Sequence, residues 1–125
     1  MQDTPSPSAI LDLAIAQLNS VELNGGARAK FEVRLTRAAL QLVRRAMELA
    51  PTNDAAEHER LSALLVETGG LEQLNRRLCA LIRDGTFALS TPAVAAHLRA
   101  TTMEKLAIDQ PNYASYRRAL ERMEG

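Results

Sequence analysis

Catalysis needs side chains that move protons, hold metals or attack electrophiles, and this chain offers few of them. It has two histidines, His58 and His97, and one cysteine, Cys79. Neither histidine follows a glutamate by three residues, because position 55 is Ala and position 94 is Val. The Glu-x-x-His pairs of di-iron helical bundles are therefore missing, as is the His-Glu-x-x-His run of a helical zinc site. His58 lies in Glu57-His58-Glu59-Arg60, which reads as a solvated charged segment. His97 comes one turn after Val94, near a core edge, where a hydrogen-bonded structural role outweighs a catalytic one. Cys79 follows Leu78 on a short helix and reads as a small core residue, although Arg76 and Arg83 flank it by one turn. No serine sits in a Gly-x-Ser-x-Gly elbow. The glycine pairs at 25–26 and 69–70 fit neither a Walker loop nor a dinucleotide fingerprint and read as helix punctuation. The expectation is no catalytic residue, no metal site and no cofactor.

Charge offers more. Lys30, Arg34, Arg37, Arg44 and Arg45 fall on one face of a helix over four turns. Such a stripe is either plain solvated surface or a docking face for an acidic protein surface or a phosphate-bearing ligand, since a guanidinium grips a carboxylate or phosphate with two bonds. Nucleic acid is disfavoured: the net charge is zero and no aromatic side chain is interleaved with the stripe to stack on a base. Glu32 lies on the apolar flank of the same helix, four residues from Arg28, and the two can pair. Were there a ligand pocket between helices, Glu32, His97 and Arg99 would be its polar groups.

The elements that would carry these residues are helices throughout. Wound at about 3.6 residues per turn, the stretch Arg28–Ala50 lines up Phe31, Leu35, Ala38, Leu42 and Leu49, with Val43 and Met47 beside them. That arc is wide enough to need neighbours on two sides, so this stretch is expected to be the central helix and the core. Pro51 is expected to end it. Ser8 would cap a first helix from Ala9 to about Leu23, broken by Asn24-Gly25-Gly26. Asp54 would open a third helix running to Thr68 and stopped by Gly69-Gly70. A fourth spans Leu71 to Arg83 and ends at Gly85. Phe87 and Leu89 would plug the core. Thr91-Pro92 opens a fifth helix that runs to about Gln110, and Asn112 would cap a last one. The chain has 46% hydrophobic and 24% charged residues, which suits one globular domain. With only 3% aromatics, the core must be aliphatic. The expected fold is all-α: a single-domain bundle of five or six helices around the central one over residues 8–125, with 1–7 as a flexible tail. A lone cysteine, no basic region before the first apolar run and no run of about 20 apolar residues point to a cytoplasmic protein without a membrane span.

One likeness extends this reading. His97-Leu98-Arg99-Ala100-Thr101 followed by Lys105-Leu106-Ala107-Ile108-Asp109-Gln110-Pro111-Asn112-Tyr113 resembles an uncharacterised bacterial family of short all-helical proteins. Leu74-Asn75 with Leu78-Cys79 and Ile82-Arg83, and Lys30-Phe31 with Arg34, are similar to it as well. Members of that family are often encoded beside aminoglycoside-phosphotransferase-like kinases and acyl-CoA dehydrogenases. The resemblance implies an accessory role near acyl-CoA metabolism and no catalytic residue. Glu32 and Ala39 stand where that pattern would place His and Asn, so a polar site there would be altered in this chain. The leading expectation is a non-enzymatic accessory domain that docks on such a protein; a second copy of the chain is also open as a partner. The alternative is a small-ligand-binding protein or enzyme with a pocket between helices.

Overall fold

The computed structural model describes residues 6–20 and 26–125. These form five α-helices and no strand: α1 Pro7–Ser20, α2 Ala27–Leu65, α3 Leu71–Arg83, α4 Pro92–Asp109 and α5 Ala114–Glu124. The all-α class expected from periodicity is the class observed. The chain divides into two compact units, Met1–Ala50 and Pro51–Gly125.

The helix boundaries correct several expectations. Ser6, not Ser8, caps α1: its Oγ accepts a hydrogen bond from Ala9 N at 3.3 Å, and Pro7 fills the first helical position, where its missing N–H costs nothing. Of the turn expected at Asn24-Gly25-Gly26, only Gly26 lies among the described residues. Pro51 does not end α2, which continues through it to Leu65. A proline inside a helix removes one N–H bond and crowds the preceding turn, at about 3 kcal/mol. Here Ala55, Ala56, Glu57, Glu59 and Arg60 follow it, all good helix formers, and continuing the helix buries Leu61 completely. The two helices expected on either side of Pro51 are thus one. α2 then stops at Val66, which takes a left-handed backbone conformation with φ 53°, three residues before the expected glycine. Gly85 does end α3, at φ +83°, with Phe87 N bonded back to Leu81 O at 3.0 Å. Thr91 and Pro92 open α4 as expected, while α5 begins after Tyr113, not at an Asn112 cap.

In the first unit α1 and the opening half of α2 are antiparallel. Arg37 Nη1 donates to Asn19 Oδ1 at 2.7 Å, and Arg44 Nε lies 2.6 Å from Asp12 Oδ1. Each pair advances seven residues, about two turns, in opposite directions along the two helices. The partly buried residues follow the same geometry, with Leu11, Ala14, Ile15 and Leu18 on α1 and Val33, Arg37, Leu40 and Arg44 on α2. So α1 sits on the side of α2 that carries Arg37 and Arg44. The opposite row stays in solvent: Phe31 is 57% exposed and Leu35 59%, and Leu42 and Leu49 are exposed too. The expected core of the central helix is therefore corrected. Its apolar row is surface, and two of its cations face the neighbouring helix.

Every fully buried residue among those described lies in the second unit. Leu61, Leu74 and Leu78 are 0%, 1% and 3% exposed, with Leu64, Leu65, Leu71 and Phe87 packed against them. Phe87 plugs this core as expected; Leu89 is exposed. α3 packs against α2, with Asn75 Nδ2 donating to Glu57 Oε1 at 2.8 Å, while Arg77 Nε bonds Glu67 Oε1 in the connection before it at 3.1 Å. α4 runs antiparallel to the same part of α2. Asn53 Nδ2 reaches Glu104 O at 3.4 Å, Arg60 meets Thr101 and Glu104, and Ala63 and Leu64 lie across from Ala93, Ala96 and His97. Tyr116 on α5 is buried.

Candidate functional site

The most heavily built polar cluster lies between the closing half of α2 and α4. Arg60 holds Glu104 with both prongs, Nη1 to Oε1 at 2.8 Å and Nη2 to Oε2 at 2.7 Å. Nη2 also donates to Thr101 Oγ1 at 3.3 Å. A planar guanidinium suits this two-bond grip. Arg60 is held above its ordinary range by the Glu104 hydrogen bond, with burial opposing and the charges of Glu104 and Glu57 adding. Its Nε is buried without a partner.

His97 lies beside this pair on α4 and is 4% exposed. The hydrogen-bonded structural role expected for it is not what the structure shows, because its Nδ1 is sealed and has no hydrogen-bond partner. Burial pushes the imidazole below its ordinary value of 6.5, the Arg60 charge pushes the same way, and Glu57 and Glu104 oppose. The ring is accordingly neutral near pH 7. A histidine kept neutral in the fold binds fewer protons than the unfolded chain as pH falls. Its contribution is therefore complete above pH 6.5 and declines below it, until the folded imidazole itself titrates. Denaturant unfolding of His97→Gln should show a shallower loss of stability than the parent between about pH 7.5 and about pH 5.5. Equal slopes would show that His97 is not the group that is linked.

A cleft of about 450 Å³ opens here, lined by Arg60, Ala63, Leu64, Ala93, Ala96 and His97. Arg99, three positions from Ala96 and on the other side of α4 from His97, lines two different clefts. One, of about 430 Å³, includes Leu98, Met103 and Tyr116; the other, of about 380 Å³, includes Met103 and Met123. Glu32 belongs to the first unit, where it is exposed and accepts a hydrogen bond from Arg28 Nε at 3.1 Å. The structure thus joins His97 to Arg60 and Glu104, not to Arg99. Nothing local in the sequence signals Arg60, whose partner is 44 residues away.

The cationic stripe is divided. Arg37 and Arg44 are occupied by α1, and Arg44 also pairs with Glu48 at 3.3 Å. Arg45 is partly buried. Lys30 and Arg34 are exposed and form no ion pair among the described residues. His58 is exposed as expected, its Nε2 at 2.7 Å from Gly69 O. Cys79, expected in the core, is exposed. Among the described residues no group of His, Cys, Asp and Glu could hold a metal ion, and no helix is long and apolar enough to cross a membrane.

The chain matches the family described as "Domain of unknown function (DUF6285)" over residues 24–113. That span is most of the chain, so the protein belongs to this family. It takes in α2, α3 and α4 with Arg60, His97 and Glu104, and leaves α1 and α5 outside. No curated protein and no solved structure matches the chain.

Proposed function

We propose that this chain is a non-enzymatic accessory domain that docks on a protein partner through the exposed apolar row of α2, on the side away from α1. One observation carries the reading: large apolar side chains of α2 are left in solvent in one row, on the side away from α1. Phe31, Leu35, Leu42 and Leu49 fall within an arc of about 40° at roughly 100° per residue. All four are exposed. A contiguous apolar patch on a soluble protein marks an interaction surface. A single apolar row on a helix is covered by another helix packed against it, so the occupant that fits is a partner helix with an apolar row of its own. Lys30 and Arg34 border the Phe31–Leu49 row, so the matching rim on the partner is acidic. The resemblance to the bacterial family supplies candidates for that partner: a phosphotransferase-like kinase acting on acyl or CoA-linked substrates, or an acyl-CoA dehydrogenase, in the cytoplasm of a bacterium.

The test is direct binding of the purified chain to each candidate, by titration calorimetry. Saturable binding to one of them is expected. Phe31→Asp with Leu35→Asp should weaken it by about 2 kcal/mol or more, a loss of roughly thirtyfold. Both positions are exposed, so the variant should keep its helical circular dichroism. Binding that survives the double variant overturns the docking surface. Failure of both candidates to bind overturns the assignment of partner.

A further inference from the structure

We propose that the cleft between α4 and α5 in the second unit binds a small monocarboxylate with an apolar body. The proposal concerns the isolated chain and does not rest on the docking surface of α2. The cleft holds about 430 Å³, within the roughly 300–1,000 Å³ of small-molecule sites. Its walls are Leu98, Met103 and Leu106 of α4 with Tyr116 of α5. Leu89 and Tyr113 also line it, and they stay largely in solvent at 74% and 51% exposed. The sequence pattern makes Leu89 a core plug, yet the fold leaves it beside this cleft. An apolar ligand body would take both side chains out of water.

The charges select the head group. Arg99 lines the cleft, is exposed, and has no hydrogen-bond or ion-pair partner among the described residues. Arg118 Nη2 donates to Ser115 Oγ at 3.0 Å, and Ser115 lines the same cleft. A second guanidinium is thus held at the α5 rim, and it too pairs with no carboxylate among the described residues. One cation comes from α4 and the other from α5, and no aspartate or glutamate lines the cleft.

The neighbouring clefts differ at this point. In the α2–α4 cleft Glu104 takes both prongs of Arg60, and the other cleft at Arg99 is itself lined by Glu104. Only in the α4–α5 cleft, of these three, do guanidiniums border an apolar wall without a counter-charge. A carboxylate matches the free fork of Arg99 with two bonds, and Arg118 adds positive charge while one of its donors holds Ser115. A neutral head forgoes that attraction, and an ammonium head meets two like charges.

Octanoate, octanol and octylamine share an apolar tail and differ in head. The experiment titrates each into the full chain at low ionic strength and follows the tyrosine rings by NMR. The chain has two tyrosines and both line this cleft; Tyr113→Phe assigns them. Octanoate should shift both rings saturably and bind at least about threefold more tightly than octanol, with octylamine weaker than either. Arg99→Gln should bring octanoate down to the level of octanol and leave octanol unchanged. Arg117→Gln removes the same charge from α5 about 200° round the helix from Ser115 and should titrate like the parent. The proposal fails if octanoate leaves both rings unmoved, if octanol or octylamine binds as tightly, or if Arg99→Gln keeps the preference for octanoate. It fails equally if Arg117→Gln loses as much as Arg99→Gln, since overall charge and not the cleft would then be responsible. Arg99 is exposed, so its variant should keep its helical circular dichroism; if it unfolds, Arg118→Gln replaces it with the same direction of change expected.

Discussion

Leu61→Ala should destabilise the second unit by about 4 kcal/mol, within the roughly 2–5 kcal/mol seen for such truncations. Leu61 is fully buried and sits at the centre of the cluster with Leu74, Leu78, Leu64, Leu65, Leu71 and Phe87. Truncating it removes apolar contact and leaves a cavity between α2, α3 and Phe87. Small domains are stable by about 5–15 kcal/mol, so the variant should lie close to the edge of unfolding. At roughly 4–8 °C per kcal/mol for a unit of this size, thermal unfolding of the second unit should fall by more than about 15 °C. Leu35→Ala is the matched control. The periodicity of α2 ranks Leu35 as core, whereas the structure leaves it in solvent, so its replacement should cost less than about 0.5 kcal/mol. Reversal of that order, with Leu35→Ala the more damaging, would show that the core lies where the apolar row of α2 points and not at Leu61.

The second large effect is expected at Pro51. It lies inside α2, is exposed, and marks the boundary of the two compact units. Its ring denies Met47 O the usual partner four residues on and crowds that carbonyl. Alanine restores the N–H and relieves the clash, a gain of about 3 kcal/mol in a helix interior. The unfolded chain regains freedom that proline had removed, which returns about 1 kcal/mol. The net expectation for Pro51→Ala is about 2 kcal/mol of added local stability, because the first figure exceeds the second. Hydrogen exchange reads this directly: amides on either side of position 51 should slow by roughly thirtyfold. Unchanged exchange would mean that the helix has already relaxed around the proline and stores no strain there.

Both predictions concern α2, where sequence and structure part company. From the sequence, the apolar arc over Phe31–Leu49 and the cationic face over Lys30–Arg45 are visible, and the inference that the arc is buried is natural. The structure instead seats α1 on the side of Arg37 and Arg44, through Asn19 and Asp12. Periodicity shows that an arc is apolar. It does not show which neighbour arrives or on which side, and two polar pairs spaced by seven residues decide that here. Pro51 misleads for a related reason. Proline is a strong local signal to stop, but a local cost of about 3 kcal/mol is outweighed when the next turns carry good helix formers and end on a leucine that fills the core.

The candidate site was legible in one residue only. His97 could be picked out because histidines are scarce and it follows Val94 by one turn. Arg60 and Glu104 could not, since their pairing joins positions 44 residues apart and each looks like ordinary surface charge. Closeness in sequence groups Arg99 with His97. A separation of two residues on a helix, about 200°, puts them on opposite sides, and the structure places Arg99 in other clefts.

What the sequence determined by itself is the set of properties that depend on near neighbours. It set the helical class, the stop at Gly85, the start at Thr91-Pro92 and the lack of any metal or nucleophile motif, because backbone preference and motif spacing act over a few residues. The tertiary structure alone decided that the buried core gathers on Leu61, Leu74 and Leu78, that the apolar row of α2 stays in solvent, and that a buried imidazole without a partner faces a bidentate ion pair. Those outcomes depend on which helices meet, and meeting is settled by packing between residues far apart in the chain.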